Sequence, residues 1–157
     1  MNRAAAALLA VLLAGLAAPA AAEVLRTRYG DLLIDEDNLL IFRDRPVEPR
    51  LQGNNFLSFL SVFEFPGYDL VLVQDTGGSA CPASFSVVRV DARGAAASRS
   101  FGTCSDLINV RRTAGGLAVT MPGFIGPSAP RPAHVRASRQ RFRYSYANMR
   151  VVETRIR

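Results

Sequence analysis

Beyond residue 22 the apolar residues follow a period of two rather than 3.6, and this excludes a protein built on long amphipathic helices. Strand-like runs fall at 24–29, 32–34, 38–42, 56–65, 69–74, 84–91, 99–101, 107–112 and 117–121. They are separated by turn signals such as Asp35-Glu36-Asp37, Gly53-Asn54-Asn55, Pro66-Gly67, Arg93-Gly94 and Ala114-Gly115-Gly116. A strand sends alternate side chains to opposite faces, and short strands about ten residues apart with a turn between each pair predict an all-β fold, an antiparallel sandwich or a small barrel-like meander. The runs 56–65 and 69–74 are apolar on both parities, which predicts strands buried on both faces. A closing hairpin is predicted over 141–146 and 149–156, turned at Ala147-Asn148, and residues 133–139 have room for one or two helical turns. Between these, 121–134 holds six Pro or Gly in fourteen residues and is expected to be a loop. Of 157 residues 49% are hydrophobic and 20% charged, ordinary composition for one domain, placed at 23–157.

The N-terminus sets the compartment. Arg3 precedes an uncharged apolar run over 4–18, and Ala20-Ala21-Ala22 supplies a small-residue cleavage site, which together predict a signal peptide at 1–22. The mature chain then carries no transmembrane segment, and no Cys follows the apolar run to take a lipid anchor. Two cysteines 23 positions apart in an exported chain are expected to form one disulfide, Cys81 to Cys104. Closing such a loop stabilises a fold by about 3 kcal/mol in the chain-entropy description. Ala-rich, Arg-only composition behind this signal points to the periplasm of a Gram-negative bacterium, or to secretion.

Charge is divided unevenly. Residues 23–76 hold five Arg against ten acids, residues 77–157 hold thirteen Arg against Asp91, Asp106 and Glu153, and 131–157 alone holds eight Arg against one acid. Such asymmetry suggests an anionic partner. Arg139, Arg141 and Arg143 alternate with Phe142, Tyr144 and Tyr146, so the arginines are expected on one strand face, with Arg131, Arg136 and Arg150 near in sequence. Nucleic acid is not the expected partner, because the alternation separates rings from charges. An envelope component rich in phosphate fits guanidinium chemistry better; the competing reading is a solvated Arg face balanced by the acidic first half. Phe124 and Ile125, at the centre of the loop, are a second candidate contact if exposed, and a plug for the end of the core if not.

Motifs for catalysis are sparse. His134 is the only histidine, which excludes sites needing several imidazoles, and it has no Ser, Cys or carboxylate beside it in sequence. Asp35, Glu36 and Asp37 lack the spacing and Gly of an EF-hand, so they read as a turn. No metal and no cofactor is expected. The segment 70–78, Leu-Val-Leu-Val-Gln-Asp-Thr-Gly-Gly, resembles the active-site turn of the aspartic proteases. That family needs two carboxylates about 3 Å apart, so that repulsion raises one pKa while the other stays ionised to activate water. This chain has a single Asp-Thr-Gly, so the resemblance implies a pair assembled from Asp75 in a homodimer, and it departs from the family at Gly78, where Ser, Thr or Ala is usual. The main expectation is an exported, non-catalytic β-rich recognition module that binds an envelope component or another exported protein. The alternative is an aspartic-protease-like acid hydrolase.

Overall fold

The computed structural model describes residues 22–156; apart from Ala22, the segment expected as a signal peptide lies outside them. Twelve strands form three four-stranded antiparallel sheets. The N-terminal sheet contains β1 (Glu23–Thr27), β2 (Gly30–Ile34), β3 (Leu40–Phe42) and β4 (Arg45–Pro46). The central sheet contains β5 (Phe56–Phe65), β6 (Tyr68–Thr76), β7 (Ala83–Asp91) and β8 (Gly94–Ala97). The C-terminal sheet runs β12 (Arg150–Ile156), β11 (Arg141–Ala147), β10 (Gly116–Pro122), β9 (Asn109–Thr113), with the helix α1 (Arg131–Arg139) connecting β10 to β11. Each sheet pairs sequence neighbours in a meander; short turns join the pairs within the N-terminal and central sheets, while β10 reaches β11 through α1.

The central sheet is covered on both faces. Leu70 and Leu72 of β6 with Phe85 and Val87 of β7 pack against Leu117, Val119, Met121, Tyr144, Tyr146 and Val151 of the C-terminal sheet. Val71, Val73, Val88 and Val90 project the other way, against Leu32, Ile34, Leu40, Phe42 and Val47. This explains why β6 is apolar on both parities: no residue of 70–73 faces water. The same expectation fails for β5, whose Phe56, Leu60 and Val62 are exposed. β5 is an edge strand whose even-numbered residues stay outside; a bulge between Phe59 and Ser61 turns its odd-numbered residues from the N-terminal-sheet side, where Leu57 and Phe59 pack, to the C-terminal-sheet side, where Phe63 and Phe65 pack.

Two further local readings change. Residues 99–101 form no strand; Phe101 makes an isolated bridge to Phe85. β8 went unforeseen because Gly-Ala-Ala-Ala lacks the branched and aromatic residues that mark strands. Cys81, in the β6–β7 connection, is bonded to Cys104, which precedes β9, with their Cα atoms 4.6 Å apart. The N-terminal sheet is held to the central one by buried Asp69, which accepts hydrogen bonds from the Arg28 backbone N–H at 2.9 Å and from its Nε at 2.8 Å. Among the described residues, no helix is long and apolar enough to cross a membrane.

Candidate functional site: the outer face of the C-terminal sheet

β11 divides its side chains as the alternation requires. Phe142, Tyr144 and Tyr146 turn toward the core, while Arg141, Arg143 and Ser145 face solvent. Arg139 does not share that face. Pro132 in the first turn and the run Ala133 to Ala137 carry α1 through Arg139, and the chain becomes extended only at Gln140. Arg136 and Arg139 instead occupy the last helical turn, where positive charge complements the carbonyl end of the helix dipole. Arg141 is held near that turn by donating from Nη1 to the carbonyls of Ser138 and Gln140.

What sequence proximity misses, strand pairing supplies. On the outer face Asn109, Thr120, Arg143 and Thr154 lie in one row across β9, β10, β11 and β12, and Arg111, Ala118, Ser145 and Val152 lie in the next. Arg111 and Arg143 therefore stand two strands and one row apart, roughly 12 Å from about 9.6 Å across the sheet and about 6.7 Å along it, beside the small side chains of Ala118 and Ser145. A cleft of about 620 Å³ opens there, lined by Asn109, Arg111, Thr113, Thr120, Arg143 and Ser145 among others, and among the described residues no carboxylate is in its lining. The ion pairs among the described residues involve Arg28, Arg89 and Arg93; neither Arg111 nor Arg143 belongs to one. Glu153, the one acid on β12, lies opposite inward-facing Tyr144. On the β12 side the row ends in apolar groups: Val152 is 58% exposed and Ile156 lies opposite Arg141.

The other candidates lie elsewhere. β10 extends to Pro122 and α1 begins at Arg131, so the loop expected over 121–134 shrinks to the residues between them. Phe124 and Ile125 are half-buried, lining a separate cleft of about 500 Å³ with Leu107, His134 and Val135. Gly123 lets this loop lie on the helix, since a Cβ there would meet the Ala137 carbonyl at 2.6 Å. Asp75, next to last in β6, lies opposite Ser84, and its Oδ1 accepts the Asn54 N–H at 2.8 Å. It is the single carboxylate lining a third cavity, of about 390 Å³. Asp35 forms a side-chain turn, with Oδ1 accepting N–H groups from Asp37 and Leu39.

The chain matches none of the protein families, curated proteins or solved structures with which it was compared. What the arginine face can do follows from its own chemistry. Guanidinium forks and hydroxyl and amide groups offer donors at fixed spacing, and among the described residues no carboxylate lines the cleft to repel an anion.

Proposed function

We propose that the protein is an exported, non-catalytic recognition module that binds phosphate-bearing lipid of the cell envelope through the outer face of its C-terminal sheet. The observation that carries this reading is the cleft with Arg111 and Arg143 across its floor, without an acidic side chain among the described residues, and the apolar side chains Val152 and Ile156 on the flanking strand. Phosphate oxygens accept paired hydrogen bonds from the guanidinium groups, with Asn109, Thr120 and Ser145 as further donors. Val152 and Ile156 then meet the first methylenes of an acyl chain, as a free inorganic anion could not. Export is supported by the signal-like leader and by the Cys81–Cys104 bridge, which suits an oxidising compartment.

The test is co-sedimentation with phosphatidylcholine vesicles containing phosphatidylglycerol, at low and high salt. Binding should fall steeply as the Debye length shrinks from about 10 Å at 0.1 M to about 3 Å at 1 M. It should also be lost in an Arg111→Ser/Arg141→Ser/Arg143→Ser variant. Binding that ignores salt, survives in that variant and disappears with Phe124→Ser would move the site to the loop before α1. Absence of binding under every condition would leave the arginines as a solvated face.

A further inference from the structure

We infer that the cavity between residues 49–52 and the lower half of the central sheet is a binding site for a small zwitterion, a molecule with a cationic amine and a carboxylate. This goes beyond the lipid reading and lies on a different sheet. Its floor comes from β6 and β7, where Asp75 is opposite Ser84 and Val73 opposite Ser86. These residues occupy the same face as Val71, Val88 and Val90, which the N-terminal sheet covers with aliphatic side chains. Beyond Val88 toward the start of β7 that side of the strand becomes Ser84 and Ser86, and the space above it is a cavity of about 390 Å³ rather than packed core. Pro49, Arg50 and Leu51 form one wall, and Ser98, Arg99 and Ser100 the other.

Two buried serines in this lining behave differently. Ser98, 4% exposed, accepts the Val87 N–H and donates to the Arg99 carbonyl. Ser86, 3% exposed, has no hydrogen-bond partner for its hydroxyl among the described residues, yet no side-chain oxygen wholly shut off from the surface lacks one. The Ser86 hydroxyl is therefore open to the cavity, a largely buried polar group that takes its partner from water or from an occupant. Asp75 is held in place through Oδ1, bonded to the Asn54 N–H, and its second oxygen has no protein donor among the described residues.

Charge then selects the class of ligand. Asp75 supplies the negative end at the strand floor, with Ser84 and Ser86 as hydroxyl partners for an ammonium group. Arg50, exposed on the opposite wall, supplies the positive end for a carboxylate; Arg99 is already tied by Nη2 to the Val151 carbonyl at 3.0 Å. Leu51, Leu57 and Val73 give an apolar strip for a short side chain. Among the described residues no aromatic ring lines the cavity to stack on a sugar. A volume near the lower end of small-ligand pockets suits an amino acid or a dipeptide.

The experiment uses the oxidised full-length protein and four probes: L-glutamine, glycylglycine, glutamine methyl ester and N-acetylglutamine. Thermal-shift and calorimetric titration should show binding of one or both zwitterions, weakened at least tenfold when either charged group is blocked. Asp75→Asn keeps the acceptor for Asn54 and removes only the charge, and should weaken zwitterion binding at least tenfold. Ser86→Ala should leave thermal stability unchanged or raised, because it deletes an unpartnered hydroxyl, while weakening binding severalfold. Failure of both zwitterions to bind at millimolar concentration, equal binding of the blocked analogues, or full affinity in Asp75→Asn would overturn the proposal. None of these outcomes touches the vesicle test, which reads the other sheet.

Discussion

The N-terminal sheet meets the central sheet through Leu32, Ile34, Leu40, Phe42 and Val47, largely aliphatic groups, whereas the C-terminal sheet meets its opposite face through Met121, Tyr144, Tyr146 and the rings of Phe65, Phe85 and Phe101. Their outward faces differ as well. On the N-terminal sheet Arg26 lies directly opposite Asp31, and Val24, Leu33 and Ile41 form an apolar row. On the C-terminal sheet the arginines have no acid opposite them. Both sheets use the same alternation, but outward Arg26 has a carboxylate as its cross-strand neighbour, whereas outward Arg111 and Arg143 have none. The charge asymmetry along the chain is thus a property of particular faces, and that sorting gives it functional meaning.

The largest expected difference is in the two interfaces. Phe85, 1% exposed within the aromatic cluster, should cost about 3 to 5 kcal/mol on change to Ala. Val88→Ala on the opposite face removes two carbons and should cost about 2 kcal/mol. Urea denaturation of both variants measures the contrast, and equal losses would show that the aromatic interface is no stronger than the aliphatic one.

The disulfide comes next. Replacing both Cys81 and Cys104 by Ser should cost about 3 kcal/mol. Because Cys104 leads into β9, the accompanying rise in amide exchange should be concentrated in β9 and β10 and spare β2 and β3. Uniform loosening of all three sheets would mean that the bridge constrains only the unfolded chain. Smaller again is the effect of the outward arginines. Near an anionic surface each contributes about 1 kcal/mol, so Arg111→Ser/Arg143→Ser should weaken vesicle binding about thirtyfold. Arg26→Ser on the other sheet should change it less than about twofold. Equal effects would assign the attraction to net charge and not to a face.

Much of the architecture is legible in the sequence because strand periodicity and turns are local signals. β6 and β7 announce double burial through consecutive Leu and Val, and the hairpin of β11 and β12 is visible in its alternating residues. β5 misleads because it has similar composition but lies at an edge, and edge position depends on which strands pair. The candidate arginine face was half visible for the same reason. Arg141 and Arg143 share β11, but Arg111 is thirty-two positions from Arg143 and joins it only when β10 pairs with both strands. Arg139 belongs to α1 and not to the strand because an Arg-x-Arg spacing is equally compatible with the end of a helix. The cavity over Ser86 had no sequence signal beyond Ser84-x-Ser86 in an otherwise apolar strand.

The smallest effect concerns the phenols that distinguish the two interfaces. Burial pushes the Tyr146 pKa up to about 12, and burial together with Glu153 raises that of Tyr144. Tyr146 is 3% exposed and donates to the Met149 sulfur at 2.9 Å, and the poor solvation of its ionised form outweighs the Arg89 charge and the Met149 backbone hydrogen bond that favour it. In the unfolded chain the same phenol loses its proton near the ordinary value of 10.0. The folded state therefore holds more protons than the unfolded one between about pH 10 and about pH 12. The stability contributed by this difference is fully present below pH 10 and is lost as pH rises through that window. By pH 11 the loss from Tyr146 should be about 1 kcal/mol. Tyr146→Phe cannot ionise and should show a shallower fall between pH 9 and pH 11 in urea denaturation. Identical pH profiles for the two proteins would mean that Tyr146 ionises as readily folded as unfolded, and that water reaches the aromatic interface, removing the contrast with the aliphatic one.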